Sequence, residues 1–154
     1  MFANAHEILP GLWLGNKKAA SDPEFLTSHN IRVVFNCTKD YPFLPQVLRK
    51  YRVPVHDNLE PAEISNMTRW SSEIVYKVIA ERRSGENILI HCHAGMQRSA
   101  AVMAMVLIVL TGQSVEKVME YIRSKRPVAF FPSANFESSI REFDRAFRVA
   151  VKTP

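Results

Sequence analysis

The 154-residue chain has only two cysteines, Cys37 and Cys92. Two thiols cannot build a disulfide framework, so a reducing compartment is expected. No basic stretch leads into an apolar one at the start of the sequence, so no signal peptide is expected. Long apolar runs are also missing. The longest covers residues 100–110, short of the about 20 residues that cross a bilayer, and it reads as a core helix rather than a membrane span. No Cys-x2-Cys or His-x3-His spacing joins Cys37, Cys92, His56, His91 and His93, so neither a metal nor a cofactor is expected. Repeats, low-complexity tracts and linkers are absent. The chain therefore reads as one domain over residues 1–154, large enough to bury a core. Its 47% apolar content is ordinary. Its formal net charge of +5 suits an acidic or phosphorylated partner and says nothing about fold.

What is present centres on residues 87–111, NILIHCHAGMQRSAAVMAMVLIVLT. Ile88, Leu89 and Ile90 read as a buried strand. A turn over residues 92–98 follows, then an apolar helix over about 99–110. A strand, a tight turn and a helix N-terminus make an anion site, because turn amides and helix dipole converge on one spot. Here that spot holds a thiol and a guanidinium. A free thiol ionises near 8.5, and converging N–H groups lower that value. The Arg98 fork matches two oxygens of a phosphoryl group, and a cation at a helix N-terminus otherwise opposes the dipole. Gly95 lets the backbone curl without a side chain over the anion. His93, Ala94, Gly95, Met96 and Gln97 would supply the cradle. Ser99 fits as a donor to the sulfur, which is the favoured role, and that role is compatible with a helix cap. His91 fits as a brace behind the loop. A cradle that stabilises a thiolate also stabilises a phosphoryl group in transfer. Attack by sulfur would give a thiophosphate ester, later cleared by water.

The rest of the chain alternates strands and helices. Residues 11–15 read as a strand between glycines. Ser21 opens a Ser-x-x-Glu capping box with Pro23, predicting a short helix to about His29. Residues 31–37 predict a buried parallel strand, 38–45 a loop, and 51–55 another strand ending in His56-Asp57-Asn58. Met67, Trp70, Ile74 and Val78 predict an amphipathic helix over about 63–83, stopped by Gly85. Gly112 breaks the apolar helix. Ser114 caps the next, with Val115, Val118, Met119 and Ile122 inward and Lys125-Arg126-Pro127 at its end. Phe136, Ile140, Phe143 and Phe147 mark a last helix over about 134–149. This pattern predicts an α/β fold: a central, mostly parallel, twisted sheet of four to five strands flanked by helices, with the loop between the last core strand and the apolar helix. In such sheets ligands sit beyond the C-terminal strand ends, where Cys92, Asp57 and Cys37 are expected. The prolines near Tyr41 and Pro45 and the basic residues Arg123 to Arg126 read as solvated surface.

A leaving alkoxide needs a proton, and a carboxylic acid on a neighbouring loop is the usual donor. Asp57 is the choice, with Asn58 beside it in a supporting role. Asp40 and Glu60 compete, and Asp57 could instead cap its own loop. Cys37 is expected either to line the core or to lie near enough to Cys92 for a protective disulfide under oxidation.

The run His91-Cys92-His93-Ala94-Gly95-Met96-Gln97-Arg98-Ser99 resembles the HCxxGxxRS signature loop of cysteine-dependent protein phosphatases. The Arg-Ser ending and short chain resemble the dual-specificity branch, in its small atypical and viral-type forms. The resemblance implies Cys92 as nucleophile, Arg98 as phosphate ligand, Asp57 as general acid and Ser99 as an aid to the sulfur. It implies phosphorylated proteins as substrates, on tyrosine and on serine or threonine. Inositol-lipid loops of the superfamily resemble HCKAGKGR, whereas His93 and Met96-Gln97 stand here. RNA 5′-phosphatase loops typically end Arg-Thr-Gly rather than Arg98-Ser99-Ala100, so RNA ranks below protein, and a non-catalytic phospho-binding module ranks as a further alternative. The family often places a Pro-Asn pair before its last helix to steady the loop. Here the stretch reads Phe131-Pro132-Ser133-Ala134-Asn135, so either Ser133 or Asn135 takes that part. A cytoplasmic setting is expected, with the nucleus, a viral source and the oligomeric state left open.

Overall fold

A computed structural model describes residues 3–152. The β-branched and apolar runs fold into five strands: β1 (Ala5–Leu9), β2 (Leu12–Gly15), β3 (Ile31–Asn36), β4 (Arg49–Arg52) and β5 (Asn87–His91). They lie in the order β1-β2-β5-β3-β4, with β1 antiparallel to β2 and every other pairing parallel. The helices are α1 (Lys17–Ala20), α2 (Pro23–Ser28), α3 (Pro61–Arg83), α4 (Arg98–Thr111), α5 (Val115–Lys125) and α6 (Glu137–Lys152). The expected α/β fold with a mostly parallel sheet is present.

The strand period of two sorts side chains to the two faces. Ile88 and Ile90 of β5, with Val33 and Phe35 of β3, face the large core under α3 to α6. Leu89 and Val34 point the other way, onto a smaller cluster with Leu26, Ile31 and Val47. Each fully buried aliphatic side chain contributes roughly 1.5–3 kcal/mol. Helix α4 is buried from Ser99 to Ile108. Gly112, in the left-handed region at φ 70°, ends it by donating to Ile108 O at 2.9 Å.

Several boundaries differ from expectation, each for a local reason. Strand β1 carries only one fully buried apolar side chain, Ile8, so its sequence has no alternating signal. The strand expected over 51–55 instead pairs over Arg49–Arg52. Val53 N–H still donates to Asn36 O of β3 at 2.9 Å, but Pro54 has no N–H to continue the ladder, so Val55 stays buried outside it. Asp57 therefore lies on a loop beyond β4, not at the strand end. Helix α2 is capped by Asp22, whose Oδ1 accepts from Glu24 N and Phe25 N, while Ser21 closes α1. Helix α3 starts at Pro61 and α6 at Glu137. Arg126 is not surface: it is 1% exposed.

Candidate active site

Strand β5 delivers Cys92, and α4 begins at Arg98, so residues 92–98 form a turn at the C-terminal edge of the sheet. Gly95 holds φ +68°, which favours glycine. A Cβ there would stand 2.6 Å from the Gly15 carbonyl and 2.8 Å from Arg126 Nη2. The loop is thus seated on the end of β2 and on a buried guanidinium.

Cys92 Sγ lies 3.1 Å from Ser99 Oγ, and both residues are buried. With the sulfur ionised, the hydroxyl is the donor. Burial alone would raise the Cys92 pKa. The Arg98 charge, the Ser99 hydroxyl and the backbone N–H groups of Ser99 and Gly95 outweigh it, and the thiol is held below its ordinary value. Ser99 is the second residue of α4, not its cap. The capping position is Gln97, whose side chain makes no cap bond. Arg98 donates from Nη1 to Val55 O at 2.9 Å, while its buried Nε has no hydrogen-bond partner among the described residues. An anion above the sulfur would meet that donor.

A cavity of about 320 Å³ opens over the thiol. Cys92, His93, Ala94, Met96, Gln97 and Arg98 form its floor, and Asp57, Phe131, Pro132 and Asn135 its rim. Cys92, Arg98 and Asp57, the expected nucleophile, phosphate ligand and acid, therefore share one opening. Asp40 lines a separate, adjoining cavity of about 220 Å³ with Lys17, Thr38 and Tyr41, and Glu60 lines neither. Asn58 Oδ1 accepts from Glu60 N at 3.0 Å, so it shapes the approach to α3 without reaching the opening. A larger groove of about 510 Å³ between α3, α4 and α6 has no carboxylate, cysteine or histidine in its lining.

His91 is buried, with Nδ1 3.4 Å from the Cys92 carbonyl. Burial lowers its pKa to about 4, and the backbone bond opposes that only in part. The ring is therefore neutral near pH 7. Cys37 is fully buried, and its N–H donates to His91 O at 2.8 Å. Burial first, then the Cys92 charge, pushes its pKa well up, so it stays a thiol. His93 is exposed and lines both cavities. Among the described residues, no group of three or more His, Cys, Asp or Glu is placed to hold a metal.

The support expected from Ser133 or Asn135 is built differently. Gln97 Nε2 donates to Phe131 O at 3.1 Å and Ser133 O at 2.8 Å, and Gln97 Oε1 accepts from Asn135 N at 2.9 Å. The Asn135 side chain instead donates from Nδ2 to Asp57 Oδ1 at 2.8 Å. Sequence reasoning missed this link, and it missed Arg126. The Arg126 side chain reaches Gly95 O (2.8 Å), Ala94 O (3.1 Å), Ala3 O (2.9 Å) and His6 Nδ1 (2.9 Å). The only mark of Arg126 in the sequence is Pro127, which pushes the preceding residue into extended backbone. That turns the side chain under the loop but does not reveal what it touches.

Several known proteins are similar to this chain. Dual specificity protein phosphatase 15 of Mus musculus is 31% identical over 137 residues, which are 89% of this chain and 56% of that protein. Dual specificity protein phosphatase 8 of Homo sapiens is 26% identical over 145 residues, 92% of this chain and 22% of that protein. The chain thus spans about half or less of the length of these relatives. The crystal structure of human DUSP28 has a TM-score of 0.83 at 27% identity, covering 96% of this chain and 97% of that one. The model of the dual specificity phosphatase catalytic domain matches residues 12–146, and with the thiolate loop in place the chain belongs to that family.

Proposed function

We propose that this chain hydrolyses phosphate monoesters on proteins, at phosphotyrosine and at phosphoserine or phosphothreonine, through a cysteinyl-phosphate. The observation that carries this reading is a buried, acidified thiol 3.1 Å from Ser99 Oγ, beneath a cavity whose rim holds Asp57. Cys92 Sγ attacks phosphorus, forming the P–S bond as the P–O bond to the leaving group breaks. The Asp57 carboxylic acid gives its proton to the departing oxygen. The loop amides and Arg98 hold the three equatorial oxygens through the transfer. In the second step the Asp57 carboxylate takes a proton from water, whose oxygen attacks phosphorus. The P–S bond breaks, and the Ser99 hydroxyl supports the departing thiolate.

The rim supports acceptance of both ester classes. Asp57 is exposed, and Phe131 beside it is 65% exposed. An aromatic phosphate has a ring to lie against, and an alkyl phosphate meets no deep wall. The reading extends over residues 1–154 as one catalytic domain. The two residues at each end of that span lie outside the described ones.

The test is an assay with an aryl phosphate, a phosphopeptide panel and a 5′-triphosphate RNA. Turnover of the first two is expected. Turnover of RNA alone would favour the RNA 5′-phosphatase reading, and binding without turnover the phospho-binding module. Cys92→Ser should abolish turnover yet keep phosphate binding. Asp57→Ala should slow alkyl esters by about 10²–10⁴-fold and aryl esters with good leaving groups far less. Equal slowing of both would reject Asp57 as the acid.

A further inference from the structure

Arg126 is a buried cation with no acid beside it. It is 1% exposed, yet its hydrogen-bond partners among the described residues are three carbonyls and a histidine nitrogen, with no carboxylate. An unpaired guanidinium is costly to bury, so its position calls for a function. The nearby negative charge is the Cys92 sulfur. Burial pulls the Arg126 pKa down, and the Cys92 charge pushes it back up.

The loop's outer side shows what Arg126 does. Four consecutive carbonyls are held away from the sulfur. His93 O accepts from Lys17 N at 3.1 Å, and Met96 O from Phe130 N at 2.7 Å. Between them, Ala94 O and Gly95 O accept from Arg126 Nη2 and Nε. A trans peptide is planar, so its C=O and the following N–H point in opposite directions. Anchoring Ala94 O and Gly95 O outward turns the N–H groups of Gly95 and Met96 inward. The Gly95 N–H indeed acts on the Cys92 sulfur. The same anchoring turns two carbonyl dipoles, which would repel an anion, away from it.

We propose that Arg126 is a positioning residue of the phosphate loop, whose fork aims the Gly95 and Met96 amides at the Cys92 sulfur and the oxyanion above it. One fork spans both carbonyls because guanidinium nitrogens are coplanar and fixed in separation. A lysine ammonium keeps the charge but not that geometry. The remaining two bonds, to Ala3 O and His6 Nδ1, fix the fork from the β1 side. Arg126 touches neither substrate nor the reacting atoms. The proposal rests on the reading of Cys92 as nucleophile.

The experiment compares the full chain with Arg126→Lys and Arg126→Met. Three quantities are read: the pH midpoint of Cys92 alkylation by iodoacetamide, the inhibition constant of inorganic phosphate, and the NMR shifts of the Gly95 and Met96 amides on adding phosphate. In Arg126→Met the midpoint is expected to rise by about one pH unit or more. Phosphate should bind about tenfold more weakly, the two amide shifts should collapse, and kcat should fall by about a hundredfold or more. Arg126→Lys should lie between, and it carries the test if the methionine variant does not fold. Folded variants with wild-type midpoint, phosphate constant and amide shifts would overturn the proposal, even at lower thermal stability. An ordinary midpoint in the unaltered chain would instead refute the nucleophile itself, whatever Arg126 does.

Discussion

Asn135 Nδ2 donates to Oδ1 of Asp57, so in the proposed mechanism a proton given by Asp57 would leave from Oδ2. Asn135 is itself held by Gln97, the loop residue before Arg98. One chain of bonds therefore sets Asp57, the proposed acid, relative to Gln97 and the neighbouring Arg98. Asn135→Ala should slow esters with poor, alkyl-type leaving groups by about tenfold to a hundredfold, while p-nitrophenyl phosphate turnover and the phosphate inhibition constant change little. A steady-state series over leaving groups checks this. A uniform loss across the series would mean general damage to the loop. At this scale, what a sequence reveals depends on separation. Cys92, Arg98 and Ser99 lie within one turn and its helix, so their convergence follows from local backbone geometry. Arg126 bonds to Gly95 across 31 positions and Asn135 to Asp57 across 78. Only the folded chain brings those pairs together, and no residue type announces them.

The first short helices show how an element is chosen between two adjacent signals. Ser21-Asp22-Pro23-Glu24 offers two caps one residue apart. Asp22 serves α2 because it places Pro23 at the first helical position, where the missing N–H has no intrahelical partner anyway. Ser21 donates instead to Lys17 O at 2.9 Å, closing α1. Asp22→Ala should cost about 1 kcal/mol, whereas exposed Ser21→Ala should stay within about 0.5 kcal/mol. Urea midpoints of the two variants decide between them. The longer elements were legible for a simpler reason. Helix α3 repeats apolar residues at helical spacing, and Met67, Ile74, Val75 and Val78 are its buried face. Strand β1 and the true limits of β4 were not. One lacks alternation, and the other is cut short by a proline that leaves its apolar residues inside.

For the molecule as a whole, the two most strongly depressed pKa values, those of His91 and Glu63, shape acid stability. Buried His91 titrates near 6.5 when unfolded and at about 4 when folded. Between those values the unfolded chain binds more protons, so the stability present above about pH 6.5 is lost as pH falls through about 4. At about 1.36 kcal/mol per pH unit, the loss is roughly 3 kcal/mol. Glu63 accepts from Lys39 Nζ at 2.7 Å and from His56 N at 3.1 Å, and its folded pKa falls to about 2. It adds a second loss lower down, as pH drops from 4.5 through about 2. Urea unfolding at pH 7.5, 5.5, 4.5 and 3 should show both declines, and His91→Gln should remove most of the first while leaving the second.

Helix α4 has a last consequence. Its first turn carries Arg98 and Ser99, and the residues that follow are buried to Ile108. Arg98 and Ser99 are therefore continuous with a deeply buried helix, which is expected to open late. Slow hydrogen exchange should extend from the middle of that helix to Ser99. Warming should extinguish turnover and tertiary structure in a single event. Whatever adjustment a bulky partner demands must then come from the rim, near Asp57 and Phe131, because the floor has no separate way to yield.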